Sequence, residues 1–451
     1  MSQAFTVNDR EYVMPNAPVV VICIDGSEPA YHEEALAAGR MPWLADQLRS
    51  GASSWPAHCA MPALTNPNNL SIATGQPPRR HGICGNYILD PDTGEEVLMN
   101  DKRYLRAPTL FAAANEAGLD VAVVTAKDKL RRLLGAGVVE SGPDLNGGDE
   151  FVEPSRTGIC FSAEKADQAT EADNGIGNVL EFVGRPLPEV YSADLSEFVL
   201  AAGVRILTEY RPDLLYLSLT DYIQHKHAPG TPVANDFYAM IDHWSAQLDQ
   251  QGAIVVLTAD HGMSAKSDAT GAPQVIYVEE QARTLSGSDD VVAILPITDP
   301  YTVHHGALGS FASLYLGDGI DPAVLGSELA RIPGVQAVHT RADAAERYGL
   351  PLDRIGDLVV LAEKGHALGR TPQWHDLTQL DAPLRSHGAL GELRIPFIIN
   401  RSLPEPPVLP VSHLAGTEVV DRAEQARVHN YDAFWVATTV ASRQSEGRSD
   451  A

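Results

Sequence analysis

The chain has 451 residues, too many for one ordinary core, so a large α/β domain with an insertion, or two domains, is the starting expectation. Its 44% hydrophobic and 20% charged residues describe a globular protein and exclude general disorder. A net charge of -26, from 59 acidic against 33 basic residues, argues against nucleic acid and anionic membrane as main partners, because both need a positive face.

The first segment, MSQAFTVNDREYVMPNAP, is acidic and has no apolar leader core, and no later run reaches the roughly 18 apolar residues of a membrane helix. A cytoplasmic location is the expectation. Next comes PVVVICID (18–25), a β-branched run ending in Asp25, then a glycine and a helical stretch through MPWLADQLRSG. In MPALTNPNNLSIATG, Pro67 fits a first helical turn, which puts Thr65 or Asn66 in the N-cap region, where unpaired N–H groups and the helix dipole favour an anion. Helix and apolar strand then alternate: LFAAANEAG with LDVAVVTAKDK, LSEFVLAAGVRILTEY with PDLLYLSLTD, and DFYAMIDHWSAQLDQ with GAIVVLTADHG. This grammar predicts an α/β fold with a mostly parallel central sheet covered by helices on both faces.

From about 275 to 380 the texture changes, with strand, helix, strand, helix, strand in SFASLYL, DPAVLGSELARI, GVQAVHT, ADAAERYG and DLVVLAE. We read 275–380 as a small inserted α/β cap, and 1–274 with 381–451 as the metal-binding catalytic core. The segment from GELRIPFIIN onward returns to the core and closes with a helix rich in Ala and Val. Cys23, Cys59, Cys84 and Cys160 show no CxxC spacing and read as reduced, mostly buried thiols.

Asp25, Lys127, Asp221 and Asp260 all fall at or just past the end of an apolar run, the edge where open α/β sheets bind ligands. One such Asp would be a plain N-cap; three with a Lys mark a site. Asp221 and His225 in TDYIQH are four apart, so one helical turn presents both to a metal. Asp260 and His261 are adjacent where the backbone turns, suiting one ligand each, and His387 in SHG completes a site from a separate loop. A threonine hydroxyl held by a metal at a helix N-terminus is a competent nucleophile, which singles out Thr65. Of 15 histidines, His58, His243, His339, His366, His413 and His429 read as background, and His227, His304, His305 and His375 as supporting groups near the pocket.

The string LTNPNNLSIATG with HGICGN, together with ICIDG, TDYIQHKHAPG, LTADHGM and RSHG in that order, resembles the alkaline phosphatase superfamily in its nucleotide pyrophosphatase/phosphodiesterase-like branch. Within the branch, TDYIQHKHAPG, HGICGNY and TAKDKL resemble zinc-dependent members that cleave the carbon–phosphorus bond of phosphonoacetate to acetate and phosphate. The resemblance implies one Zn²⁺ held by Asp221, His225 and His387, and a second held by Asp25, Asp260 and His261 with Thr65 beside it. Mn²⁺ or Fe²⁺ also suits such mixed carboxylate and imidazole sets. It further implies a phosphothreonine on Thr65, and an acetate carbanion whose charge must spread into a carboxylate held by something cationic.

Lys127 and Lys129 alternate on what reads as a continuing strand, so both face one side and suit that carboxylate, while Asn86 suits a phosphonate oxygen. The plain alternatives are an exposed basic patch over a helix start for the lysines and a turn-shaping role for Asn86. The implied partner is a small anionic organophosphonate, and a homodimer is compatible with the sequence. A phosphodiesterase or pyrophosphatase would keep all seven site residues but need an aromatic slot, which 6% aromatic content disfavours. A non-catalytic metal-binding sensor would be expected to lack a ligand, and none is lacking.

Overall fold

Five runs of β-branched and apolar residues, each buried along its whole length or nearly so, line up in parallel as Ile159–Ser162, Val121–Thr125, Leu214–Ser218, Val19–Cys23 and Ile254–Thr258. They form five strands of an eight-stranded sheet in the computed structural model, which describes residues 3–148, 150–297, 308–380, 382–403 and 428–443. Arg394–Ile399 joins the sheet antiparallel to Ile254–Thr258 and to Ser53–His58, and Val428–His429 closes it beside the latter. The apolar runs are continuous because both faces are covered. Val19, Val21 and Cys23 pack into one hydrophobic cluster and Val20, Ile22 and Ile24 into another. The helices Thr65–Thr74, Leu110–Glu116 and Ala433–Arg443 belong to the first side, and Asp194–Glu209 and Pro232–Gln250 to the second.

Two local readings are corrected. The stretch after Asp25 makes two helices, Pro29–Ala37 and Pro42–Arg49, because each has a proline at its first turn that cannot continue a preceding helix. The strand ending at Thr125 does not run on through Lys127 and Lys129. A helix, Asp128–Leu134, begins there, since Leu130, Leu133 and Leu134 at helical spacing bury one face. Between 275 and 380 lies a separate four-stranded antiparallel sheet in the order Val291–Ile294, Phe311–Leu316, Leu358–Ala362, Val335–Thr340, with its own apolar cluster. The helices Pro322–Leu329 and Arg341–Tyr348 are there as expected; Val278–Ser286 and the strand Val291–Ile294 were not expected. All four cysteines are free and buried, and no helix among the described residues is long and apolar enough to cross a membrane.

The covering helix Asp194–Glu209 reaches its strand through Gly203, where an added Cβ would lie 2.5 Å from Leu217 Cδ1. Gly203→Ala therefore overpacks this contact and is expected to lower unfolding free energy by about 1–3 kcal/mol in urea titration, with the slope unchanged. A variant as stable as the parent would contradict that packing.

Candidate metal-centred active site

Parallel register places the chemistry. Cys23 pairs with both Ser218 and Thr258, and Ser218 with Thr125, so these four strand ends form one row. Two residues past the row come Asp25, Asp260 and Lys127, and three past it comes Asp221. The short helix Tyr222–Lys226 follows Asp221 and carries His225 back over the edge, while His387 arrives on the chain just after Arg385–Ser386. Thr65 opens the helix Thr65–Thr74, with Leu64 as the N-cap, so Thr65 is the first helical residue and not the cap. The Asn66 N–H is not left open to an anion either, because Asn86 Oδ1 accepts it at 2.9 Å.

Two groups form among the described residues, Asp221 with His225 and His387, and Asp25 with Asp260 and His261, each with its donor atoms within 4.8 Å of one another. The imidazoles show what such groups need. Each donates through Nδ1 to a backbone carbonyl, which has no proton to give: His225 to Arg385 at 2.9 Å, His261 to Gly262 at 2.9 Å and His387 to Ala63 at 2.7 Å. A neutral ring has only one N–H, so Nε2 is left with its lone pair. His225 Nε2 then lies 2.9 Å from Asp221 Oδ2, and His261 Nε2 lies 3.3 Å from Asp25 Oδ1 and 3.6 Å from Asp260 Oδ2.

Lone pairs facing carboxylate oxygens repel unless a cation sits between them. Protonating every ring is opposed, because burial and the neighbouring His261 and His225 rings hold His387 far below the usual histidine range. The His261 and His387 rings also stack with centroids 3.6 Å apart. A donor set of buried carboxylates and Nε2 lone pairs, oriented by backbone carbonyls, fits a metal centre.

Thr65 Oγ1 stands 3.3 Å from His261 Nε2, and the half-buried Thr65 lines a cavity of about 200 Å³ together with Asp25, Asp221, His387, Asn66, Asn86, Lys127 and Lys129. Lys127 precedes the helix Asp128–Leu134 and Lys129 lies in its first turn, so both reach the cavity from a helix start and not from a strand. Lys127 Nζ donates to the Val190 carbonyl at 3.3 Å and lies 5.2 Å from the Tyr191 ring centre. Arg131 turns away, to Asp128.

The supporting histidines do not join the cluster. His375 Nε2 accepts the Arg370 N–H at 2.9 Å, a local turn contact, and His227 is half-buried with its carbonyl accepting from Tyr31. His304, His305 and His413 lie outside the described residues. Two contributors escaped the sequence reading. Arg385, besides orienting His225, donates Nε to the Gln224 carbonyl at 2.8 Å and Nη2 to Tyr31, which fixes the helix bearing His225; its signal was its place two residues before His387. Asn69 is the other, four residues after Thr65.

The type I phosphodiesterase/nucleotide pyrophosphatase family model matches residues 19–390, and the chain belongs to that family. Phosphonoacetate hydrolase from Sinorhizobium meliloti 1021, solved with phosphonoformate, is 51% identical over 98% of this chain and 100% of that one, with a TM-score of 0.87. The same enzyme solved with phosphonoacetate gives 50% identity at the same coverage and TM-score. Murine ectonucleotide pyrophosphatase/phosphodiesterase 5, an inactive form in complex with AMP, shares the fold at 16% identity, over 94% of this chain and 95% of that one, with a TM-score of 0.58. The fold is alkaline phosphatase-like α/β.

Buried imidazoles give the metal-free protein a definite acid response. Burial lowers His32 to about 4 and His387 far below 6.5, so as pH falls from about 6.5 toward about 4 the unfolded chain takes up protons that the native state refuses. Stability is present above pH 6.5 and is lost as pH falls. Asp260, raised by burial, opposes this loss. Urea midpoints of the metal-free protein should fall across this window, and His32→Phe, at a ring packed edge-on against Tyr238, should flatten the fall. A flat parent profile would contradict this.

Proposed function

We propose that this protein hydrolyses the carbon–phosphorus bond of phosphonoacetate to acetate and phosphate, with Thr65 as the nucleophile. The observation that carries the reading is the cavity itself. Beside the two acidic and imidazole groups and Thr65, its lining brings two lysines of a strongly acidic chain, Lys127 and Lys129, to the same small space. At about 200 Å³ it is smaller than the roughly 300 Å³ at which pockets for drug-sized ligands begin, and it suits a two-carbon phosphonate better than a nucleotide. The ligands of the half-identical S. meliloti enzyme, phosphonoacetate and phosphonoformate, are of this class.

In this reading Asp221, His225 and His387 hold one Zn²⁺, and Asp25, Asp260 and His261 hold a second beside Thr65; Mn²⁺ or Fe²⁺ fits the same donors. Bound there, zinc supplies the positive charge that eases deprotonation of a hydroxyl and offsets the charge of phosphonate oxygens. Thr65 gives up its hydroxyl proton to solvent and its Oγ1 attacks phosphorus in line. The P–C bond breaks, and its electron pair leaves on the methylene carbon, delocalised into the carboxylate as an enediolate. Lys127 and Lys129 offset that charge, and the carbon then takes a proton from water to give acetate. Asn86, its Oδ1 already occupied by the Asn66 N–H, presents Nδ2 to a phosphonate oxygen. Water hydrolyses the phosphothreonine. We place the protein in the cytoplasm, a setting with which four unlinked, buried thiols agree.

The test is phosphate release from phosphonoacetate, abolished by EDTA, restored by zinc and compared with nitrophenyl phosphodiester cleavage. No release from the zinc-loaded protein would refute the reading. Thr65→Ala is expected to abolish turnover with zinc content retained, and surviving activity would exclude the covalent route. Lys129→Ala should lower phosphonoacetate turnover by about 10²–10³-fold and spare diester cleavage, which has no carboxylate to hold. An equal loss on both substrates would remove Lys129 from that role.

A further inference from the structure

Asn69 lies on the inner side of the helix Thr65–Thr74, fully buried and outside the cavity lining. A buried primary amide must satisfy two donors and one acceptor, and here both donors point at the machinery while the acceptor ties to the sheet. Nδ2 donates to the Thr65 carbonyl at 3.0 Å and to Asp260 Oδ2 at 3.2 Å. Oδ1 accepts from the Tyr216 hydroxyl at 2.7 Å and the Ser218 hydroxyl at 2.9 Å, both on the central strand Leu214–Ser218. The Thr65 carbonyl and the Asp260 carboxylate settle which way the amide faces, since neither has a proton to give and both need the amine. Asp260 Oδ1 is meanwhile held by the Gly26 N–H at 3.2 Å and the His261 N–H at 2.9 Å. The carboxylate plane is therefore fixed from both ends, and one side chain spans the nucleophile's own residue and that carboxylate.

We propose that Asn69 is a positioning residue that locks Asp260 and the start of the nucleophile helix to one another, so that the Asp25, Asp260 and His261 group is preorganised beside Thr65. The proposal rests on the reading of those residues as a metal group with Thr65 as nucleophile. Asn69 touches neither substrate space nor the second group, so its effect is confined. Removing it frees Asp260 to rotate and Thr65 to shift, weakening one metal position and slowing attack without altering how substrate binds.

Zinc dissociation measured by chelator competition on the parent, Asn69→Ala and Ser218→Ala, without substrate, tests this directly. In Asn69→Ala one of two zinc ions should dissociate about 10–100-fold more readily and the other as in the parent, the range typical of groups that orient metal ligands. Ser218→Ala, which removes one of two hydroxyls and leaves the helix intact, should show a smaller loss at the same ion and decides the matter if Asn69→Ala does not fold. In turnover of phosphonoacetate, kcat should fall while KM stays that of the parent. Unchanged dissociation of both ions would overturn the proposal, and so would equal weakening of both, which would mark a general loosening. A parent that binds two zinc ions and releases no phosphate from phosphonoacetate would refute the hydrolase reading alone, and the competition would still decide the role of Asn69.

Discussion

The site depends on a constraint set by three backbone carbonyls. Ala63, Gly262 and Arg385 each take the single N–H of a histidine ring, which turns Nε2 of His225 toward Asp221 and Nε2 of His261 toward Asp25 and Asp260. Carboxylates and lone pairs so arranged raise the energy of the folded chain until positive charge enters between them. The molecule accepts this cost because its sheet is rigid: five parallel strands, buried on both faces, end in one row and hold Asp25, Asp221 and Asp260 just beyond it. A chain with a charge of -26 can thus receive an anion where cations gather.

The same constraint explains what surrounds the groups. Polar side chains that would be liabilities in a core are each committed to orienting something else. Asn68 donates to the carbonyls of Ala60, Pro62 and Leu64 and accepts from Ala60, pinning the bend that delivers Thr65. Lys266, fully buried, pairs with Glu392 at 2.9 Å, and the Glu392 carbonyl accepts the Gly262 N–H next to His261. Arg385 does the same for the helix bearing His225. Side chains away from the substrate space hold the few that line it.

How much of this was legible in the sequence follows from what kind of signal each residue left. Four of the five parallel strands were plain because a sheet covered on both faces is a continuous β-branched run, and each of those four ends in a residue of the site; the short edge strand Ile159–Ser162 and the strand Ser53–His58 were not read. Asp221 with His225 was readable as a helical i,i+4 pair, and Asp260 with His261 as neighbours at a strand end. The geometry around Lys127 and Lys129 was not: a polar i,i+2 pair reads as strand until the leucines at 130, 133 and 134 are allowed to choose a helix. Asn69 and Arg385 were illegible for another reason, since their roles lie in contacts to distant backbone and to residues about 150 positions away, which spacing cannot show. The strand Val291–Ile294 is short, and its pairing with Phe311–Leu316 across the intervening chain leaves no hairpin signal.

In the reaction we propose, Thr65, held beside a metal group, carries the phosphoryl group during turnover. Reacting the zinc-loaded protein with phosphonoacetate, quenching with acid within a turnover and mapping the peptides by mass spectrometry tests it most directly. A phosphoryl group is expected on the peptide containing Thr65, at that residue, and only when zinc is present. Free phosphate formed at full rate with no phosphorylated Thr65 at any quench time would contradict it and point to direct attack by water.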